Sequence, residues 1–301
     1  MFLQRPGRCE TRNFESSYKP RLTSFSHHHI MTNQFAHQFY IGKLINKALF
    51  GEVYTAHEKT TGKLFAVKQI TKSKLMPSGA SSEDPIVECG VLEAVRDRPH
   101  KNLMFVVNVF ESSIFLHLVM PLGVGDLYDN LPNDITTIQS YFRQICQGVQ
   151  HLHTEVGYEH GDISLENVLI FPNNNVMVMD YGQACPIGSI RKPMLARGKD
   201  AYSAPELRYG SSVVTGSCDV FSIGVILFSM LSHRMLFDVA SWDDVLYRSL
   251  QTDGITVFNF GPAPFNMTTS ACELITGMTR HDPQERWGLS RVLDHPWVQD
   301  M

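Results

Sequence analysis

The sequence predicts an α+β fold in which a small β-rich lobe precedes a larger helical lobe. Residues 1–35 show no periodicity, whereas from Phe39 to Met120 alternating apolar and polar residues recur, interrupted by one segment with helical spacing. Beyond Pro121 the apolar residues follow the period of an α-helix, in segments separated by Gly and Pro. We therefore divide the chain into a flexible tail (1–35), a small lobe (36–120) and a large lobe (121–301).

Strands and one helix are predicted in the small lobe. The segments FGEVYTAHEK and KLFAVKQI alternate in polarity and are joined by TTGK, a hairpin signal centred on Gly62. The segment EDPIVECGVLEAVRD places its apolar side chains on one helical face. LMFVVNVF and IFLHLVM indicate two further strands on either side of ESS.

The large lobe is predicted to begin with an amphipathic helix over residues 135–156, capped by Asp134. Two short strands follow, VLIF and VMVM, and the turn PNNN joins them. The most apolar run, VFSIGVILFSML, has 12 residues, which is too few to span a bilayer and favours a buried helix.

The composition narrows the class of protein. A chain of 301 residues with 43% hydrophobic side chains can build a large core. The net charge of −4 gives no reason to expect binding to nucleic acid or to a membrane. Six widely spaced cysteines argue against a disulfide framework and favour a reducing, intracellular compartment, cytoplasmic or nuclear. The N-terminus lacks the apolar core of a signal peptide.

The stretch HGDISLENVLI carries the strongest indication of chemistry. Asp162 and Asn167 precede one strand and Asp180 ends the next, so a tight turn would bring Asn167 and Asp180 together. Paired oxygen ligands suit Mg²⁺, and Asp162 is placed to accept a proton from an attacking hydroxyl. On the small lobe, Lys68 on a strand and Glu88 on the next helix would form a pair that grips phosphate. These parts together indicate phosphoryl transfer.

In this order the motifs resemble those of the eukaryotic protein kinase family. The resemblance covers residues 39–299 and rests on NKALFGEV, FAVK, the helix that carries Glu88, HGDISLEN, DYG, APE, CDVFSIGVILF, DPQERW and HPW. It implies the two-lobed protein kinase fold, ATP and Mg²⁺ as cofactors, and a protein as phosphate acceptor. It also implies that Arg286 pairs with Glu206 of APE.

The resemblance gives each candidate residue a role. Asp162 would be the catalytic base, Lys68 and Glu88 the phosphate-binding pair, and Asn167 and Asp180 the metal ligands. The residues that would bind the nucleotide are Asn46, Ala48, Gly51, Val53, Ala66, Lys68, Met120, Leu122 and Leu169. Met120 would sit at the gate of the pocket and PLG would form the hinge, although core packing explains these apolar residues equally well.

The chain also departs from the family pattern. Asn46 and Ala48 replace glycines, and we expect this to weaken ATP binding because glycine lets the backbone approach phosphates. Gly161 replaces the arginine of HRD, Ser164 replaces a lysine, and Lys199 replaces the threonine of GTxxYxAPE. Since one position lost a cation and another gained one, we predict that Lys199 is a catalytic residue that neutralises the γ-phosphate. An exposed loop lysine is the alternative.

Two classes of function fit these residues. An active kinase is favoured because the groups that do chemistry are all present, whereas a pseudokinase that binds nucleotide or acts as a scaffold would fit the altered loop and Ser164. A small-molecule kinase is disfavoured by APE and the helices after it. Serine/threonine specificity is predicted because Glu166 and Ser164 stand where tyrosine kinases carry arginine. We expect the protein to act as a monomer on a protein substrate.

Acidic residues and hydroxyls near the predicted site lead to two further expectations. Asp126 and Glu166 match positions where some family members hold a basic residue of the substrate, and both would equally suit a solvated surface. Gly161 offers no partner for a phosphate on the activation loop. We therefore expect activity without phosphorylation between Gln183 and Ser203.

Overall fold

The computed structural model describes residues 34–75, 84–191, 199–208, 212–254 and 267–299. A five-stranded antiparallel sheet is followed by a mainly helical region, so the predicted α+β fold class is confirmed. The predicted tail lies outside the described residues except for Gln34 and Phe35, which begin a short helix.

The small lobe is built on the five-stranded sheet. Its elements are α1 (Gln34–Gln38), β1 (Phe39–Ala48), β2 (Gly51–Glu58), β3 (Leu64–Thr71), α2 (Pro85–Asp97), β4 (Asn108–Glu111) and β5 (Phe115–Pro121). The strand order β1-β2-β3-β5-β4 puts β3 in the middle of the sheet. Lys68 of β3 lies opposite Val53 of β2 and Leu118 of β5, so its backbone is fixed from both sides.

The large lobe contains most of the helices. Its elements are β6 (Gly125–Asp126), α3 (Ile135–His151), β7 (Tyr158–Glu159), β8 (Val168–Phe171), β9 (Asn175–Val178), β10 (Cys185–Pro186), β11 (Ile190–Arg191), β12 (Ser212–Val213), α4 (Ser217–Ser232), α5 (Val245–Asp253), α6 (Thr269–Met278), α7 (Leu289–Leu293) and α8 (Pro296–Gln299). Strands β6, β8 and β9 form a small sheet, while β7 pairs with β10 and β11 with β12. The two strand pairs β7–β10 and β11–β12 attach the segment that follows Asp180 to other parts of the large lobe.

Helix α3 begins as predicted and ends earlier. The Asp134 side chain accepts a hydrogen bond from the Thr137 N–H at 2.8 Å, which confirms the predicted cap. The α-helix stops at His151, and a wider π-helical turn, Leu152–Val156, continues it. The apolar stripe is kept through this turn because Leu152 and Val156 are both buried.

Helix α4 is the centre of the large-lobe core. All of its residues from Cys218 to Ser232 are buried, which confirms the predicted buried helix. Among the described residues, no helix is long and apolar enough to cross a membrane.

The strand predicted from LMFVVNVF is shorter than expected and begins only at Asn108. The Met104 N–H donates to the Val178 carbonyl at 2.8 Å, and the Val178 N–H donates to the Asn102 carbonyl at 2.9 Å. Because these backbone groups pair with β9, residues 102–104 join the large lobe instead of the small-lobe sheet.

Candidate active site

A cavity of about 320 Å³ is lined by residues of β1, β2, β3, β5 and β8. Every residue predicted to bind the nucleotide lines it except Gly51. The lining also includes residues that the sequence reasoning missed: Ile45, Leu92, Met104, Val124 and Met179. Leu92 lies on the predicted apolar face of α2, which was the one available signal for its position.

Gly51 serves the packing of the sheet. A Cβ atom added there would lie 2.0 Å from the Gln69 carbonyl oxygen, far inside van der Waals contact. Glycine therefore allows β2 to approach β3 at this point. In β1, Ala48 pairs with Gly51 and Asn46 pairs with Val53 in the antiparallel ladder.

The predicted pair of Lys68 and Glu88 forms in the cavity wall. Lys68 Nζ lies 2.6 Å from both carboxylate oxygens of Glu88, and both side chains are buried. The Asp84 side chain caps α2 by accepting from the Ile86 N–H, which places Glu88 in the first turn of the helix. Burial raises the pKa of Glu88, and the Lys68 ammonium opposes that rise.

Hydrogen bonds connect the three predicted groups of the large lobe. Asn167 Nδ2 donates to the Asp162 carbonyl at 2.8 Å and to Asp162 Oδ2 at 3.2 Å. The Met179 N–H donates to the Asn167 carbonyl at 2.9 Å, and the next residue, Asp180, lines the cavity. Because its amide nitrogen is used by Asp162, Asn167 can offer its amide oxygen to a metal. One carboxylate and one amide oxygen are a donor set that fits Mg²⁺.

A buried carboxylate supports residues 160–167, which contain Asp162 and Asn167 and are named the catalytic loop after the matching family motif. Asp219 accepts hydrogen bonds from the backbone N–H groups of His160 at 2.7 Å and Gly161 at 2.8 Å, and from the His153 ring at 2.8 Å. Burial alone would raise the pKa of Asp219, but its bond to His153 holds the pKa below the usual value. Asp219 therefore stays charged and fixes the start of the loop.

His160 links this support to the end of β9, just before Asp180. Its Nε2–H donates to the Met179 carbonyl at 2.9 Å, while Nδ1 lies 3.2 Å from the Asp162 N–H and can accept from it. Burial lowers the pKa of His160, which keeps the ring neutral in this arrangement.

A second buried ion pair, which the sequence reasoning missed, lies beside Gly161. Arg191 Nη2 of β11 is 2.8 Å from Glu159 Oε1 of β7, and the two side chains are only 4% and 3% exposed. Glu159 Oε2 also accepts from the Gly216 N–H at 2.7 Å. Burial raises the pKa of Glu159. The pair fixes the segment after Asp180 to the strand that leads into the catalytic loop.

Gly161 is required by this packing. Its φ of +80° is in the left-handed region, and an added Cβ would lie 2.8 Å from the Gln183 carbonyl oxygen. The same Cβ would lie 2.9 Å from Arg191 Nη2. Arg191, which belongs to the activation segment between Asp180 and Glu206, thus fills the space next to the position where the family has its own arginine.

Lys199 lies next to the catalytic loop but outside the cavity lining. Its Nζ is 2.5 Å from Glu166 Oε1 and 3.5 Å from Ser164 Oγ. The Lys199 side chain is 44% exposed, whereas Ser164 is fully buried. The structure therefore brings the two exchanged positions together, with Glu166 as the direct partner of the lysine.

The ion pair expected between Arg286 and Glu206 is confirmed. Arg286 Nη1 and Nη2 lie 2.7 Å and 3.0 Å from the two carboxylate oxygens of Glu206. Arg286 also donates to the Ser217 carbonyl at 2.8 Å, which connects APE to the start of α4.

Comparison with known proteins adds an independent line of evidence. The family model described as protein kinase domain matches residues 40–298. Maternal embryonic leucine zipper kinase of Danio rerio is 29% identical, over 89% of this chain and 38% of its own length. Aurora kinase of Schizosaccharomyces pombe is 28% identical, over 86% of this chain and 71% of its own length.

A third relative, serine/threonine-protein kinase CHK1 of Saccharomyces cerevisiae, is 28% identical over 86% of this chain and 50% of its own length. The chain thus spans between about two fifths and seven tenths of these curated relatives. Because the family model covers most of the chain and includes each motif described above, this chain belongs to the protein kinase family.

Proposed function

We propose that the protein is an active serine/threonine kinase that transfers the γ-phosphate of ATP to a hydroxyl of a protein substrate. The observation that carries this proposal is the buried pair of Lys68 and Glu88, at 2.6 Å, in the wall of the cavity that Asp180 also lines. A pseudokinase has no chemical need for this pair together with the hydrogen-bonded Asp162 and Asn167.

The reaction needs few groups. The substrate hydroxyl oxygen forms a bond to the γ-phosphorus, and the bond from that phosphorus to the β–γ bridging oxygen breaks, which releases ADP. Asp162 accepts the hydroxyl proton, and Asn167 keeps the Asp162 side chain oriented through its amide nitrogen. Lys68 contacts the phosphates of the nucleotide while Glu88 holds the ammonium in position.

The metal would be held by Asp180 and by the amide oxygen of Asn167. When bound, Mg²⁺ would neutralise negative charge on the transferred phosphate. The protein's own contribution is to fix the two ligands, which the bond from the Met179 N–H to the Asn167 carbonyl supports.

We also propose that Lys199 supplies a positive charge to the γ-phosphate in place of the lysine missing at position 164. The support is the 3.5 Å distance from Lys199 Nζ to Ser164 Oγ, two residues beyond Asp162. A lysine side chain is long and flexible, so it can reach a phosphate from either backbone position. Its present partner, Glu166, would have to release it during the reaction.

Partners and location follow from the same assignment. We propose ATP and a protein substrate as the partners, with the kinase acting as a monomer. The five described cysteines are all free, which suits the intracellular location that we propose. Because Glu166 is already paired with Lys199, we propose Asp126, which lines the cavity, as the more available acid for a basic substrate residue.

Substitution of the two essential acids tests the function. Purified protein would be incubated with labelled ATP, Mg²⁺ and a mixture of basic proteins, beside Asp162→Asn, Asp180→Ala and the control Asp253→Asn at the end of α5. We expect label on serine and threonine in the wild type and the control, and essentially none with the two site variants. Wild-type transfer by Asp162→Asn would contradict the base assignment. Nucleotide binding without transfer by any form would favour the pseudokinase.

A further inference from the structure

The residue that follows the proposed metal ligand carries a hydroxyl group deep in the core. Tyr181 is fully buried, and its hydroxyl oxygen lies 3.1 Å from the carbonyl oxygens of both Met104 and Val178. The neutral phenol has one proton to donate, and the two carbonyl oxygens share it. Because this hydroxyl has two carbonyl acceptors and is shielded from solvent, its position is fixed by the residues around it.

The backbone next to this hydroxyl is in an uncommon conformation. Asp180 has a φ of +69°, in the left-handed region that side-chain-bearing residues rarely adopt without support. The hydrogen bond from the Tyr181 hydroxyl to the Val178 carbonyl spans Asp180, with one end two residues before it and the other one residue after it. The bond therefore closes a small ring around the strained residue.

The second acceptor ties the same ring to the segment between α2 and β4. Met104 lies after α2 in the chain, and its N–H donates to the Val178 carbonyl at 2.8 Å. The Met104 carbonyl also accepts from the Tyr181 hydroxyl, so three hydrogen-bonding contacts connect Met104, Val178 and Tyr181. Met104 also lines the nucleotide cavity, as does Asp180.

We infer that the Tyr181 hydroxyl is a positioning group that keeps the Asp180 backbone in the left-handed conformation and so holds its carboxylate ready for Mg²⁺. The inference rests on the proposed function, which makes Asp180 a metal ligand. The aromatic ring alone would fill the same space, and it packs 5.4 Å from the His160 ring. The hydroxyl oxygen is therefore the atom that separates a packing role from a positioning role.

Tyr181→Phe isolates that atom, and the test measures binding instead of turnover. Titrating Mg²⁺ at fixed ADP gives the metal concentration for half-maximal nucleotide binding. We expect this concentration to rise about three- to tenfold, the factor that one neutral hydrogen bond commonly contributes. Binding of ADP in the presence of EDTA should be unchanged, because the cavity wall is intact.

Tyr247→Phe is the matched control. Tyr247 is also fully buried, and its hydroxyl lies 2.7 Å from His281 Nδ1 in the large lobe. Both variants should lose a little thermal stability, but only Tyr181→Phe should change the Mg²⁺ requirement. An unchanged requirement in Tyr181→Phe, or an equal change in Tyr247→Phe, would overturn the inference.

Two further measurements keep the outcome decisive. The Met179 amide, which donates to Asn167, should exchange its hydrogen faster in Tyr181→Phe than in Tyr247→Phe. The comparison with Tyr247→Phe corrects for any general loss of stability. Unchanged exchange there, measured against the Tyr247→Phe control, would count against the positioning role. If Asp180→Ala kept the wild-type Mg²⁺ dependence, the metal assignment would be wrong and the inference would fail with it.

Discussion

The catalytic loop of the large lobe is held by buried charged side chains, whereas the β1–β2 hairpin beside the cavity is held mainly by backbone pairing between two strands. Asp219 and the pair of Glu159 and Arg191 are almost completely buried around the loop. In β1, by contrast, the residues from Tyr40 to Lys47 are all exposed, and the ladder to β2 is irregular between Ile41 and Asn46.

This difference shows why departures from the family pattern have unequal weight in the two regions. At Gly161 a side chain would collide with Arg191, so the arginine of the activation segment and the glycine of the loop depend on each other. Asn46 and Ala48, which replace the family's glycines, pair with Val53 and Gly51 of β2. Glycine can therefore be restored at Asn46 or Ala48 by one substitution. A side chain can be restored at Gly161 only if Arg191 is changed as well.

The largest effect is expected from breaking the buried ion pair. Arg191→Leu leaves Glu159 buried and unpaired, and we expect a loss of about 3–5 kcal/mol in the free energy of unfolding. Adding Glu159→Gln should recover much of this loss, because the uncompensated charge is gone and Gly216 keeps an acceptor. Urea denaturation measures both.

An exposed ion pair provides the matched control for that experiment. Arg208 Nη2 lies 2.8 Å from Asp200 Oδ1, and both side chains are partly exposed to solvent. Arg208→Leu should cost about 1 kcal/mol or less, as exposed pairs usually do. Equal losses for the buried and the exposed pair would remove the contrast between the two regions.

The next effect concerns the charge at the proposed γ-phosphate site. Lys199→Thr should lower kcat about tenfold, the order expected when one charge that stabilises a transition state is removed. Adding Ser164→Lys to this variant should restore part of the loss, since Lys199 Nζ lies 3.5 Å from Ser164 Oγ. Full turnover by Lys199→Thr, or simple addition of the two effects, would leave Lys199 as a surface lysine.

A smaller effect is expected in the hairpin. Ala48→Gly removes a methyl group from the cavity lining and should lower the KM for ATP about two- to threefold, with kcat unchanged. Lys47→Gly is the control, because Lys47 lies on the same strand outside the cavity lining. A higher KM in Ala48→Gly would mean that the methyl group contacts the nucleotide favourably.

No effect is expected from removing phosphate. Arg191 is already paired with Glu159, so the segment after Asp180 has an internal charge partner and phosphatase treatment should leave kcat unchanged. Ser189, Tyr202 and Ser203 are the predicted segment's hydroxyls, and the last two are buried. Inactivation by phosphatase, with phosphate mapped to Ser189, would contradict this expectation.

An interaction could be predicted from the sequence when its two residues lie close together in the chain or in consecutive, clearly patterned elements. The Asp134 cap involves residues three positions apart, and local pattern was enough to find it. The pair of Lys68 and Glu88 came from a strand and the next helix. Glu159 and Arg191 are brought together by two short strand pairs, β7–β10 and β11–β12, and two-residue strands leave no alternation to recognise.

The shortened β4 has a related cause. LMFVVNVF has the composition of a strand, but tertiary hydrogen bonds between Met104 and Val178 draw its first residues to the other lobe. The Tyr181 hydroxyl lies 3.1 Å from the carbonyl oxygens of these same two residues. The hydrophobic pattern of a sequence indicates which residues are buried, but it does not indicate against which of two neighbouring lobes they pack.

The burial of Arg191 has a consequence for digestion by trypsin. Trypsin must take a lysine or arginine side chain into its own specificity pocket, and Arg191 is held against Glu159 inside the protein. Lys199 and Arg208 are exposed and so are accessible to the protease. Cleavage after Arg191 in the folded protein therefore requires β11 to open first, and its rate reports how often the activation segment moves away from the catalytic loop.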